Sequence, residues 1–170
     1  MSDIEGVAHY AREGNAWFIT LSGKVTYSLG PAINALLDKA LSEPSEQRFV
    51  IDLSNVDNID STCLGIFARI VNQPNKQYKQ RPVIITGGED IQELLLAICF
   101  DWTFDLVESV NIDNFKDKLH LVPDINLNQT DMLSLLLESH KRLCAMDAKN
   151  HAVFKDVVDA LESDLANQSI

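Results

Sequence analysis

Val50-Ile51-Asp52-Leu53-Ser54-Asn55-Val56-Asp57-Asn58-Ile59-Asp60-Ser61-Thr62-Cys63-Leu64-Gly65-Ile66-Phe67 is the stretch on which the reading of this chain turns. Arg48 to Leu53 is an apolar, β-branched run that reads as a strand, and such a continuous run suits a central position covered on at least one face by helices. A polar turn follows. Asp60 or Ser61 then caps a helix carrying Leu64, Phe67, Ala68 and Val71. That order leaves the Ser61 hydroxyl at a helix N-terminus, where backbone N–H groups lack partners. The hydroxyl caps first and can be modified second. A phosphate there adds about −1.5 to −2 charges and three acceptor oxygens, which a helix end tolerates and a partner's acidic or apolar surface does not.

Upstream, Ala16 to Ser22 follows the Glu13-Gly14-Asn15 turn and pairs with a strand near Gly6 to Arg12 as a hairpin. Pro31 opens a helix with Ile33, Leu36, Leu37, Ala40 and Leu41 at helical spacing, ended by Ser42-Glu43-Pro44. Downstream, Pro82 to Thr86 is a strand, and Gly87-Gly88 turns into a helix around Ile91, Leu94, Leu95 and Ile98. Phe104 to Val107 is a short edge strand, and Ile112 to about Leu121 reads as a further helix. A β-hairpin followed by repeated α/β units makes residues 1–122 one α/β domain, with the boundary at Val122-Pro123-Asp124.

Residues 123–170 form a helical C-terminal extension, a hairpin or one long helix. Leu133, Leu136, Leu143, Phe154, Val157 and Leu161 keep a stripe of roughly 3.5-residue period, broken at His140, Asp147 and Asn150. The break favours a two-helix hairpin turning near Asp147 to Asn150. Its stripe either packs on the chain's own sheet domain or offers a docking or self-association surface.

Asp60-Ser61-Thr62-Cys63-Leu64-Gly65 resembles the signature of STAS domains, as found in the bacterial anti-sigma-factor antagonists: a strand, then Asp-Ser-Ser/Thr-Gly-Leu-Gly. The likeness in element order extends over residues 1–122 and includes a Gly-x-Val turn after the second strand, here Ser22-Gly23-Lys24-Val25-Thr26-Tyr27. The chain departs from the pattern at Cys63, where the usual Gly is replaced, and at Lys24 to Tyr27, where many members carry acidic residues. The resemblance implies a mixed β-sheet with helices packed mainly on one side. It also implies that Ser61 is phosphorylated by a serine kinase, with Thr62 as secondary acceptor, and restored by a PP2C-type phosphatase. The unmodified form then binds an anti-sigma factor or related regulator through residues around the switch: Gly23, Lys24, Asp57, Asp60, Thr62, Cys63, Leu64 and Gly65. Without modification, Ser61 is a plain cap worth about 1 kcal/mol, and the domain is a structural subunit of a larger sensory or transport assembly. Asp57 and Asp60 are read as turn and dipole residues, and Lys24 or Arg69 as sources of charge relief for a phosphoserine.

Other classes fit less well. A net charge of −11 over 170 residues, without a Lys/Arg cluster, opposes nucleic-acid binding. Met1-Ser2-Asp3-Ile4-Glu5 is no signal-peptide start, and no stretch approaches the roughly 20 apolar residues of a membrane span. With three scattered cysteines, Cys63, Cys99 and Cys144, the chain reads as cytoplasmic and without disulfides. Cys63 near a helix start could serve a thiol enzyme, but no histidine lies near it in sequence and there is no phosphate-binding glycine loop; the expectation is a protein that catalyses nothing and holds no cofactor. His140, Cys144, Asp147 and His151 would share one face of an unbroken helix, yet four ligands over three turns cannot converge on one ion, so no metal site is expected.

Overall fold

Gly14, at φ +61°, turns the chain between β1 (Val7–Glu13) and β2 (Ala16–Val25), which pair antiparallel from Val7↔Ser22 to Glu13↔Ala16. A computed structural model of the chain describes residues 4–72 and 80–168; the Met1-Ser2-Asp3 start read above lies outside the described residues. β2 runs through to Val25, so the Ser22 to Val25 stretch read as a turn is strand instead, with register shifts between Thr20 and Ser22 and between Gly23 and Lys24. Gly23 accounts for the irregularity: at φ +77° a Cβ would stand 2.8 Å from the carbonyl oxygens of both Ile4 and Glu5.

β3 (Arg48–Ile59) lies parallel to β2 and is twice the length read from its apolar run. The polar segment expected to turn is strand, with Val56 and Ile59 buried and Ser54, Asn55, Asp57 and Asn58 exposed. Its backbone is satisfied by the far end of β2, so side-chain polarity there marks exposure rather than a turn. With β4 (Val83–Ile85), β5 (Asp105–Val107) and β6 (His120–Leu121), the mixed six-stranded sheet has the order β5-β4-β3-β2-β1-β6. The expected helix from Ile112 to Leu121 shrinks to one turn, α4 (Asp113–Lys116). After it the chain must reach the open edge of β1, where His120 and Leu121 pair with Tyr10 and His9 and Val122 N–H donates to Ala8 O at 2.9 Å.

Three helices bury their apolar faces on one side of this sheet: α1 (Gly30–Leu41), α2 (Ser61–Phe67) and α3 (Glu89–Ala97). Ile33, Leu36, Leu37 and Ala40 of α1 recur at helical spacing and are buried with Trp17, Ile19 and Leu21 of β2 and Phe49, Ile51 and Leu53 of β3. Each such aliphatic or aromatic side chain contributes about 1.5–3 kcal/mol by burial. The opposite face is thinly covered: Phe115 of α4 stacks on Phe18 at 5.0 Å, flanked by Ala11, Ile85 and Val50.

The C-terminal extension is a hairpin of α5 (Gln129–Met146) and α6 (Ala148–Gln168), separated by Asp147 in extended conformation. Asn128 caps α5 by accepting from Asp131 N–H at 2.8 Å. Thr130 Oγ1 donates to Gln168 Oε1 at 3.1 Å, and Lys141 meets Glu162 at 3.4 Å, so the helices run antiparallel. The hairpin packs in cis: Leu135 and Leu143 belong to the sheet domain's own core, with Met132, Met146 and Phe154 against it. The stripe differs in detail from the one read. Val157 is exposed and Val158 half-buried in its place, while Leu133 and Leu136 are only half-buried. α5 lies against both α2 and α6, so it buries more than one face, and a single-stripe reading misplaces part of the contact.

Candidate functional site

Asp60 organises the start of α2. Its backbone is extended (φ −87°, ψ 167°), which frees the side chain to cap: Oδ1 accepts from Cys63 N–H at 3.0 Å and Oδ2 from Tyr27 N–H at 2.6 Å. One carboxylate thus ties the helix to the chain leaving β2. The expectation that the Ser61 hydroxyl caps the helix is not met: Asp60 is the cap, and Ser61 is the first residue of α2, half-buried beside it.

The Ser61 hydroxyl is engaged from outside the sheet domain. Its Oγ lies 2.8 Å from His140 Nε2, and His140 Nδ1 lies 2.7 Å from Leu136 O, one turn back along α5. A carbonyl only accepts, so Nδ1 carries a proton; in the neutral ring Nε2 is then the acceptor and Ser61 donates. The ring is buried and meets Phe154 of α6 edge-on at 5.8 Å. Next to it, Gly65 takes the close approach of the two helices. A Cβ on residue 65 would run into the Ser139 backbone, 2.9 Å from its Cα and nearer still to its carbonyl.

The remaining residues read as a switch surface fall into two groups. Thr62, Cys63, Leu64 and Gly65 are buried. Cys63 donates its thiol to Thr26 O at 3.2 Å, and burial first, then the Asp60 carboxylate, hold that thiol far above its usual titration range. A nucleophilic thiolate needs the reverse. Lys24 and Asp57 are exposed and Gly23 buried; Gly23 pairs with Val56, beside Asp57 on β3, and Lys24 with Asn58. Arg69 is engaged with α1, donating to Asn34 O at 3.1 Å, Asn34 Oδ1 at 2.6 Å and Asp38 Oδ1 at 2.6 Å. His140 is the site residue missed by sequence reasoning. The signal was present in Ser139-His140, two polar residues on an otherwise apolar face.

The same geometry dissolves the His140, Cys144, Asp147, His151 set. Asp147 ends α5 and turns its Oδ2 to Lys149 N–H at 2.8 Å, so the four do not share a helix face. Among the described residues, no three His, Cys, Asp or Glu side chains are grouped to hold a metal ion, and no helix is long and apolar enough to cross a membrane.

Comparison with known proteins places the chain. The family model described as "Mlab, STAS domain" matches residues 8–114, which include the whole strand-to-helix segment around Ser61. Among solved structures, an uncharacterized protein of the DUF3478 family with a SpoIIAA-like fold, from Shewanella loihica PV-4, is similar at 22% identity. The match covers 69% of this chain and 96% of that one, with a TM-score of 0.47. None of the curated proteins matches. The family match spans β1 to α4, with five of the six strands and the Asp60-Ser61 helix start inside it, and on that match the chain belongs to the STAS domain family.

Proposed function

We propose that the protein is a phosphorylation-switched protein-binding module of the cytoplasm, an anti-sigma-factor antagonist that engages an anti-sigma factor or related regulator while Ser61 is unmodified. A serine kinase transfers a phosphoryl group to Ser61 Oγ and a PP2C-type phosphatase removes it; the protein itself catalyses nothing. The observation that carries the reading is the position of the Ser61 hydroxyl at the first residue of α2. It is half-buried beside a cap that does not depend on it, because Asp60 supplies the bonds to Cys63 and Tyr27. Modification of Ser61 therefore leaves the helix start intact while changing the charge of the face around it.

Site-mapping mass spectrometry on protein from its own cells, with a Ser61→Ala control, tests this. The expected result is one phosphate at Ser61, lost in the control, and a partner bound by Ser61→Ala but not by the phosphorylated chain. Absence of phosphate under all growth conditions would overturn the reading. A second reading, a structural STAS subunit of a larger sensory or transport assembly, is favoured by the burial of Thr62 to Gly65, with Gly65 directly beneath Ser139 of α5. It predicts stable copurification with that assembly whatever the state of Ser61.

A further inference from the structure

The bond from Ser61 to His140 joins the residue proposed as the switch to the C-terminal hairpin, 79 positions away. We infer that the α5–α6 hairpin is a cover latched onto the sheet domain through Ser61 and His140, and that phosphorylation of Ser61 releases it. The inference rests on Ser61 as the modified residue.

A phosphate on Ser61 cannot keep the closed contact as it stands. Oγ and Nε2 are already at hydrogen-bond distance, so phosphorus and its oxygens must push His140 away. Displacing His140 strains its surroundings. Its neighbour Ser139 has its backbone packed against Gly65, and its other nitrogen is held by Leu136 O. On the near side the Asp60 carboxylate adds to the negative charge, and Arg69 is engaged with Asn34 and Asp38. A doubly charged group forced between a buried ring and an acidic cap disrupts the packed interface rather than ordering it.

The latch also bears on how a partner reads the switch. Thr62 to Gly65 are buried in the closed form, so what the unmodified protein presents is a composite of the α2 start and the hairpin laid across it. Release of the hairpin dismantles that composite, and a two-state cover explains how one phosphate changes a broad surface. Because the closed state is stabilised by the free hydroxyl, anything that binds the closed form must equally disfavour phosphorylation.

Hydrogen exchange on the full chain, with phosphoserine installed at position 61 in vitro, tests the inference. Amides of α5 and α6 should exchange about tenfold faster or more than in the unmodified chain, while those of β1 to β3 stay unchanged. The unmodified His140→Ala chain should show the same regional pattern to a lesser degree, which keeps the test independent of how the phosphorylated chain folds. Unchanged exchange in α5 and α6 in both proteins, or acceleration spread evenly through β3, overturns the latch. The outcome is separable from that of the proposed function: a phosphate never found in cells defeats the function, and this measurement does not depend on it.

Discussion

Gly65 of α2 lies against the backbone of Ser139 in α5, closely enough that a β-carbon on residue 65 would overlap it. A glycine in the middle of a seven-residue helix costs helix propensity, and here the return is contact between two backbones. The hairpin is seated at that point.

Gly65→Ala should therefore destabilise the protein by about 1–3 kcal/mol, the range for forcing an extra carbon into a packed contact, despite alanine's better helix propensity. Urea denaturation measures the loss. A stability equal to or above that of the parent would mean that α5 does not press on residue 65.

Ser61 and His140 should be energetically coupled. In a double-mutant cycle with Ser61→Ala and His140→Ala, the interaction term is expected at about 1 kcal/mol, as for one side-chain hydrogen bond in a partly buried setting. Additive effects of the two substitutions would show that the 2.8 Å contact contributes nothing in solution.

Alkaline stability should carry the signature of Cys63. The folded thiol is held above its ordinary value of 9.0 by burial and by Asp60. Below pH 9 both folded and unfolded chains keep the proton and the group adds no slope. Above it the unfolded chain ionises first, so stability falls as pH rises, by about 1.4 kcal/mol per pH unit from the buried Cys63 thiol. Cys99 and Cys144 are shifted in the same direction. Cys63→Ala should make the decline above pH 9 shallower, read from denaturation midpoints at a series of pH values; an unaltered slope would place the Cys63 thiol in contact with solvent.

Asn150 should anchor the hairpin turn. Its Nδ2 donates to Ile98 O at 2.8 Å from a fully buried position, while its own Oδ1 is without a partner. Asn150→Ala leaves Ile98 O unpaired and should cost about 1–3 kcal/mol, with exchange rising at the end of α3 and the start of α6. A neutral substitution would place water on that carbonyl.

Most of the sheet domain was legible because local pattern and tertiary role agree. The Glu13-Gly14-Asn15 turn, the spacing of Ile33, Leu36, Leu37 and Ala40, and a helix start at Asp60-Ser61 each follow from a few neighbouring residues. The failures have a common cause. Ser54 to Asn58 is polar yet strand because β2 pairs with it, and His120-Leu121 is strand because β1 has an open edge. In both places a distant backbone decided what local composition could not.

The candidate site divides the same way. The sequence by itself determined that a hydroxyl stands at a helix start, with Asp60 or Ser61 as the cap, since capping is a matter of a few adjacent residues; the structure gives the cap to Asp60. It also pointed to an amphipathic helical extension after the sheet domain, a hairpin or one long helix, and the structure makes it the hairpin. Only the tertiary structure decided that Ser61 bonds His140 and that Thr62 to Gly65 are covered. Which face of a helix meets which partner depends on the side chains of both, and on a glycine and a serine, far apart in the chain, letting two backbones close to contact.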